Sequence, residues 1–116
     1  MLEIDIDSFS FSFLENIKNK YKYCIYKFSA KWCSSCKKIN LNFLKDITLT
    51  DCIFINVDYD KYILDQDFKD YIEIEKLPTI ICIENNSKKE IFKYIGTDNV
   101  IIKNLILNLN SCDLDF

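Results

Sequence analysis

The cysteine and histidine content, six and none in 116 residues, limits the chemistry open to this chain. Two of the cysteines stand in Trp32-Cys33-Ser34-Ser35-Cys36-Lys37, and thiols two residues apart can close and reopen a disulfide, which makes a reversible two-electron couple. The competing use of such a pair is half a zinc site. A closed site needs two further ligands, and the sequence offers neither a second Cys-X-X-Cys nor an imidazole, so redox chemistry is favoured and no metal is expected. The lack of histidine also removes triads built on an imidazole base.

The flanking residues indicate how the pair is held. Tyr23 to Phe28 is a β-prone run, and from Lys37 to Leu49 apolar residues recur at helical spacing, so the motif is expected on a strand-to-helix turn. Cys33 would begin the helix, with Cys36 one turn inside. A helix N-terminus presents unpaired N–H groups and a positive dipole end, and both favour thiolate over thiol. An ordinary cysteine titrates near ~8.5, against about 3.5–7.5 in turns of this kind. Cys33 is therefore expected to be the attacking thiolate, and Cys36 the shielded thiol that resolves a mixed disulfide.

Length and composition set the frame. With 49% hydrophobic residues, one glycine and one proline, the chain is expected to fold as one domain over residues 1–116. A net charge of −3 supplies no basic field for nucleic acid or an anionic membrane. The acidic, alternating start from Met1 to Asp7 lacks the pattern of a secretory signal, and no run approaches membrane-spanning length. A cytoplasmic location follows as the expectation. Cys24, Cys52 and Cys82 lie in or beside apolar runs, where a thiol serves as a small hydrophobe, and Cys112 is an incidental thiol near the tail.

In chain order, Leu2, Ile4 and Ile6 alternate as a peripheral strand. A first helix starts near Ser8 or Ser10, capped by a serine, and carries Phe13, Leu14, Ile17 and Tyr21. Lys22 to Ser29 is a central strand interrupted only by Lys27. A second, amphipathic helix presents Ile39, Phe43, Leu44 and Ile47 to the sheet. Cys52 to Val57 is the next strand, and Asp60 is placed to cap a third helix bearing Leu64, Phe68, Tyr71 and Ile72. After Leu77-Pro78-Thr79 come a strand over 80–83, a hairpin loop in which Asn85 and Asn86 tolerate left-handed geometry, and a strand over 90–95. Gly96 ends that strand. Thr97 or Asp98 then caps a last helix lined by Val100, Ile101, Leu105 and Leu109. The order β-α-β-α-β-α-β-β-α predicts an α/β fold, a central mixed sheet flanked by four helices.

These residues together carry a resemblance to thioredoxins. It rests on Phe28-Ser29-Ala30-Lys31-Trp32-Cys33-Ser34-Ser35-Cys36-Lys37, Val57-Asp58-Tyr59-Asp60, Leu77-Pro78-Thr79 and Gly96, and it covers essentially the whole chain. The resemblance implies the thioredoxin fold, with Pro78 in a cis bond facing the active-site turn and Leu77 offering backbone hydrogen bonds to an extended substrate. Trp32 resembles the aromatic wall beside the thiol, and Gly96 the small residue that leaves room for the bound chain. Disulfide-containing proteins are the implied substrates, a separate reductase recycles the pair, and no cofactor is implied.

Departures from the family pattern qualify that picture. Ser34 and Ser35 replace the usual Gly-Pro and bring hydroxyl donors, which leaves the direction of electron flow open. Lys27 occupies the place of the family's buried acid, and Phe54 that acid's lysine partner. An ammonium there would ease Cys36 ionisation while slowing proton transfer; the even alternative is that the stem carries the charge outward to water. Lys37 would act modestly on Cys33 through its charge. Leu41 stands near the family's helix-kinking proline, so the second helix is expected to run straight, and Asn86 takes the place of the hairpin glycine. A protein-disulfide reductase is the leading reading. A disulfide oxidase or isomerase using the same pair is the first alternative, and a protein-binding module with secondary redox activity is the second.

Overall fold

Tyr23–Ser29 (β2) and Cys52–Asp58 (β3) carry apolar side chains at nearly every position, a pattern satisfied where both faces of a sheet are covered. In the computed structural model, which describes residues 1–6 and 11–112, β2 is the middle strand of a five-stranded sheet. The other strands are Leu2–Ile6 (β1), Thr79–Glu84 (β4) and Lys89–Ile95 (β5), and the spatial order is β1-β3-β2-β4-β5. β1 and β2 run parallel to β3, whereas β4 is antiparallel to both β2 and β5. This is the mixed sheet of the thioredoxin fold.

The strand period of two divides the core between two faces. Cys24, Tyr26, Phe28, Ile53 and Ile55 pack with Leu14 and Ile17 of Phe11–Lys18 (α1) and with Phe68 of Gln66–Tyr71 (α3). On the opposite face Ile25, Phe54, Ile80 and Cys82 meet Leu44, Ile47 and the Ile102, Ile106 and Leu109 stripe of Asn99–Cys112 (α4). Among the described residues no helix is long and apolar enough to cross a membrane.

The helices depart from expectation in ways that matter at the site. In place of one straight helix from Lys37 to Leu49 there are two short 3-10 helices, Ser35–Lys38 and Asn42–Asp46. Asparagines explain the break. Asn40 Oδ1 accepts from the Asn42 amide at 3.0 Å, and Asn99 of α4 accepts from the Asn40 amide at 2.8 Å while donating to the Lys38 carbonyl at 3.1 Å. Backbone groups that would have joined a helical ladder are thus taken by side chains. The apolar stripe survives: Ile39, Leu44 and Ile47 are buried and Phe43 is half-buried.

The third helix is likewise divided, into Tyr59–Tyr62 (α2) and α3. Asp58, not Asp60, caps α2 by accepting from the Asp60 amide at 3.0 Å, and Asp65 restarts the helix by accepting from the Phe68 amide at 3.1 Å. Asp98 caps α4 through the Val100 amide at 2.9 Å. Val100 and Ile101 are exposed and Leu105 is half-buried, so the buried stripe of α4 runs through Ile102 and Ile106 and meets the expected one only at Leu109. In the hairpin the left-handed residue is Lys88 (φ 58°). Asn85 instead turns inward, donating to the Tyr21 carbonyl at 2.6 Å and to Cys24 Sγ at 3.3 Å. The serine cap expected for the first helix, Ser8 or Ser10, lies outside the described residues.

Candidate active site

The site begins where β2 ends. Beyond Ser29 the chain turns, the Cys33 amide donating to the Ala30 carbonyl at 3.1 Å, and Cys33 and Cys36 form a disulfide with their Cα atoms 5.4 Å apart. The sulfurs are held by a short turn and not by the start of a long helix. The 3-10 helix here has four residues and opens at Ser35, so the dipole expected to act on Cys33 is small. Local donors stand in its place. The Cys36 amide donates to Cys33 Sγ at 3.3 Å, and Ser35 Oγ lies 3.4 Å from the same sulfur.

Although both cysteines are buried, Cys33 at 7% and Cys36 at 4% exposure, they border different spaces. Cys33 lies in a front cleft of about 400 Å³ whose walls include Trp32, Ser35, Tyr59, Lys76 and Leu77. Trp32 is 65% exposed and so stands on the surface of the cleft, outside the core. Its indole N–H donates to both carboxylate oxygens of Asp60, at 3.0 and 3.1 Å, and its ring meets Tyr59 edge-on with centroids 6.4 Å apart. The Leu77–Pro78 bond is cis. Leu77 borders the cleft and Pro78 is buried behind it.

Gly96 is not part of that cleft. A Cβ there would stand 2.6 Å from Tyr94 Oη, on a backbone at φ +157°, so the missing side chain makes room for the chain's own tyrosine. Tyr94 Oη in turn accepts from the Asp98 amide at 3.1 Å, tying β5 to the start of α4.

Cys36 faces a second cavity of about 380 Å³, on whose walls stand Asp5, Lys27, Lys37, Asn56 and Asp58. Lys27 is half-buried on β2. Burial pushes its ammonium below the usual lysine range, and the carboxylates of Glu3 and Asp5 partly oppose the shift. Asn56 is its register partner on β3 and donates to Glu3 Oε2 at 2.7 Å and Asp5 Oδ1 at 2.8 Å. Phe54 pairs in register with Ile25 and is fully buried in the apolar core, so Lys27 has no counterpart there. Lys37 is exposed at the mouth of this cavity.

The expected residues therefore separate into Trp32, Cys33 and Leu77 on one cleft and Cys36, Lys27 and Lys37 on the other. Asp60 and Asn56 were not expected here, and their partners lie 28 and at least 51 residues away in sequence. The only available signal was the Glu3/Asp5 alternation, and it becomes informative once β1 is placed in register with β3.

A disulfide between cysteines that border two different clefts can exchange electrons with a chain laid over Cys33. On this sheet, that chemistry defines a thiol–disulfide oxidoreductase. The chain belongs to the thioredoxin family, which matches residues 6–107. Solved structures with the same fold include the reduced thioredoxin pre-protein of Schistosoma mansoni (24% identity, 93% of this chain and 98% of that chain, TM-score 0.69). The thioredoxin NaTrxh of Nicotiana alata is similar at 21% identity, covering 91% and 90%, with a TM-score of 0.71. A thioredoxin of Trypanosoma brucei brucei aligns at 22% identity over 93% and 90%, with a TM-score of 0.70. No curated protein sequence matches the chain.

Proposed function

We propose that the protein reduces disulfides in other proteins, with Cys33 as nucleophile and Cys36 as resolving thiol. The observation that carries this division is that Cys33 lines the cleft walled by Trp32 and Leu77, whereas Cys36 lines a separate cavity beside Lys27. The Cys33 thiolate attacks one sulfur of a substrate disulfide, and the other substrate sulfur leaves as a thiolate that takes up a proton. Cys36 loses its proton and attacks Cys33 Sγ, which releases the second substrate thiol and closes the Cys33–Cys36 bond. Two electrons pass to the substrate, and a separate reductase returns them.

Trp32 and Leu77 flank the path of the substrate chain, and Pro78 backs Leu77. Lys27 presents its ammonium to the cavity that Cys36 borders, where opposite charge favours the Cys36 thiolate, and Lys37 adds a weaker field from the exposed side. Gly96 acts through Tyr94 and not by direct substrate contact. A reducing compartment such as the cytoplasm suits the dithiol cycle, and the buried thiols of Cys24, Cys52 and Cys82 are compatible with it.

The test is turnover of a disulfide-bonded protein such as insulin with dithiothreitol as reductant. Wild type should accelerate reduction, Cys33→Ser should not, and Cys36→Ser should stall as a mixed disulfide through Cys33. A mixed disulfide through Cys36 in the Cys33→Ser protein, with activity retained, would reverse the assignment. The contact between Ser35 Oγ and Cys33 Sγ favours a second reading, an oxidase or isomerase, since a donor on that sulfur stabilises the reduced state.

A further inference from the structure

We propose that the Ser35 hydroxyl is a catalytic group of the Cys33–Cys36 couple, donating the hydrogen bond that holds the Cys33 thiolate as it forms. The inference rests on the oxidoreductase reading and adds a residue to it. Ser35 Oγ lies 3.4 Å from Cys33 Sγ, and the Cys36 amide reaches that sulfur at 3.3 Å from its own side. Cys33 is 7% exposed, so few waters compete for the same position.

The short turn makes these donors matter. A helix of ordinary length would place its dipole behind Cys33, but the 3-10 helix has four residues and starts beyond that cysteine. A disulfide sulfur is a weak acceptor, whereas a thiolate is charged, and hydrogen bonds to charged groups are about twice as strong as neutral ones. The Ser35 bond therefore strengthens when the Cys33–Cys36 bond accepts two electrons and Cys33 keeps a negative charge. Of the two thiolates that a dithiol reductant leaves, Cys36 takes up one proton from water, Cys33 takes up none, and Ser35 retains its own. The consequence is more thiolate near neutral pH and a more oxidising couple, because its reduced form is stabilised. The gain exceeds the loss of intrinsic nucleophilicity while the thiol pKa lies above ambient pH, because nucleophilicity falls with a Brønsted slope of only about 0.4–0.5.

The measurement is the pH dependence of Cys33 alkylation by iodoacetamide in the reduced protein, with mass spectrometry identifying the modified sulfur. Ser35→Thr keeps a hydroxyl, Ser35→Val keeps that shape without one, and Ser35→Ala removes the bond with the least bulk. Ser35→Thr should titrate with wild type. Ser35→Val and Ser35→Ala should titrate about one unit higher, leaving about tenfold less thiolate below the pKa, a difference of about 1.4 kcal/mol. Coincident Thr and Val titrations, or an Ala variant that matches wild type, would overturn the assignment while exchange with glutathione disulfide persists. Loss of all exchange in the wild type would instead overturn the oxidoreductase reading, and this inference with it.

Discussion

A thiol attacks as its anion, so the side chains that matter most are those that decide where negative charge can rest. Two kinds of group are proposed to do so here, the neutral donors at Cys33 and the Lys27 ammonium, which lines the same cavity as Cys36. Reduced Lys27→Met should show a raised Cys36 pKa and slower closure of the mixed disulfide. Cysteine titration and single-turnover kinetics would test this, and unchanged values for both would remove Lys27 from the mechanism.

The same lysine has a stability signature in the oxidised protein. Its folded pKa lies below the unfolded value of about 10.4, so between the two the unfolded chain binds more protons and stability rises with pH. Lys27→Met should accordingly stabilise the oxidised protein at pH 7 and do so less at pH 10. Denaturant unfolding giving the same difference at both values would contradict this. Trp32 offers a third test: Asp60→Ala removes the acceptor of its indole and should raise the KM for a protein substrate severalfold with little change in kcat. A fall in kcat alone would place Asp60 elsewhere in the mechanism.

At this scale the Cys33–Cys36 pair was legible from residue type and spacing, and the cis Leu77–Pro78 bond was implied by the family resemblance. Asp60 read as a cap, since a carboxylate at the start of an apolar-periodic segment resembles one. Its actual partner is an indole on the turn after β2, 28 residues away.

The elements show where periodicity stops being informative. Between Lys37 and Leu49 it correctly identified the buried stripe of Ile39, Leu44 and Ile47. It could not reveal that Asn99, 59 and 61 residues away from its two partners, would claim the Asn40 amide and the Lys38 carbonyl. The stripe is common to one long helix and two short ones, and the choice between them is made by a tertiary contact. Asn99→Ala removes two side-chain bonds and should destabilise the fold by about 1–3 kcal/mol, at about 0.5–1.5 kcal/mol each. Urea denaturation measures it, and a loss below a few tenths would mean that the break is maintained without Asn99. The division of the third helix has a similar origin: Asp65 binds the Phe68 amide, and this local competitor was visible in the sequence but outweighed there by the apolar spacing.

Across the whole molecule the strands were the most legible part. Dense runs of β-branched and aromatic residues define β2, β3 and β4, and their alternation with helical segments fixes a mixed sheet. The spatial order β1-β3-β2-β4-β5 depends on pairing between distant segments, which composition alone does not encode. Because that sheet carries a core on each face, one side chain can report on its integrity. Phe54 is fully buried in the α4-side core, and Phe54→Ala should cost about 3–5 kcal/mol. A cost under about 1 kcal/mol in equilibrium denaturation would mean that this face is loosely packed.

The direction in which this architecture moves electrons is the central claim, and the reduction potential of the Cys33–Cys36 pair tests it most directly. Equilibration with glutathione redox buffers, with Cys36→Ser as the control that cannot close the bond, gives the value. The account expects a potential near about −270 mV, that of a reductant of protein disulfides. A potential of about −120 to −180 mV would make the protein an oxidase or isomerase, and a pair that does not exchange would contradict redox function altogether.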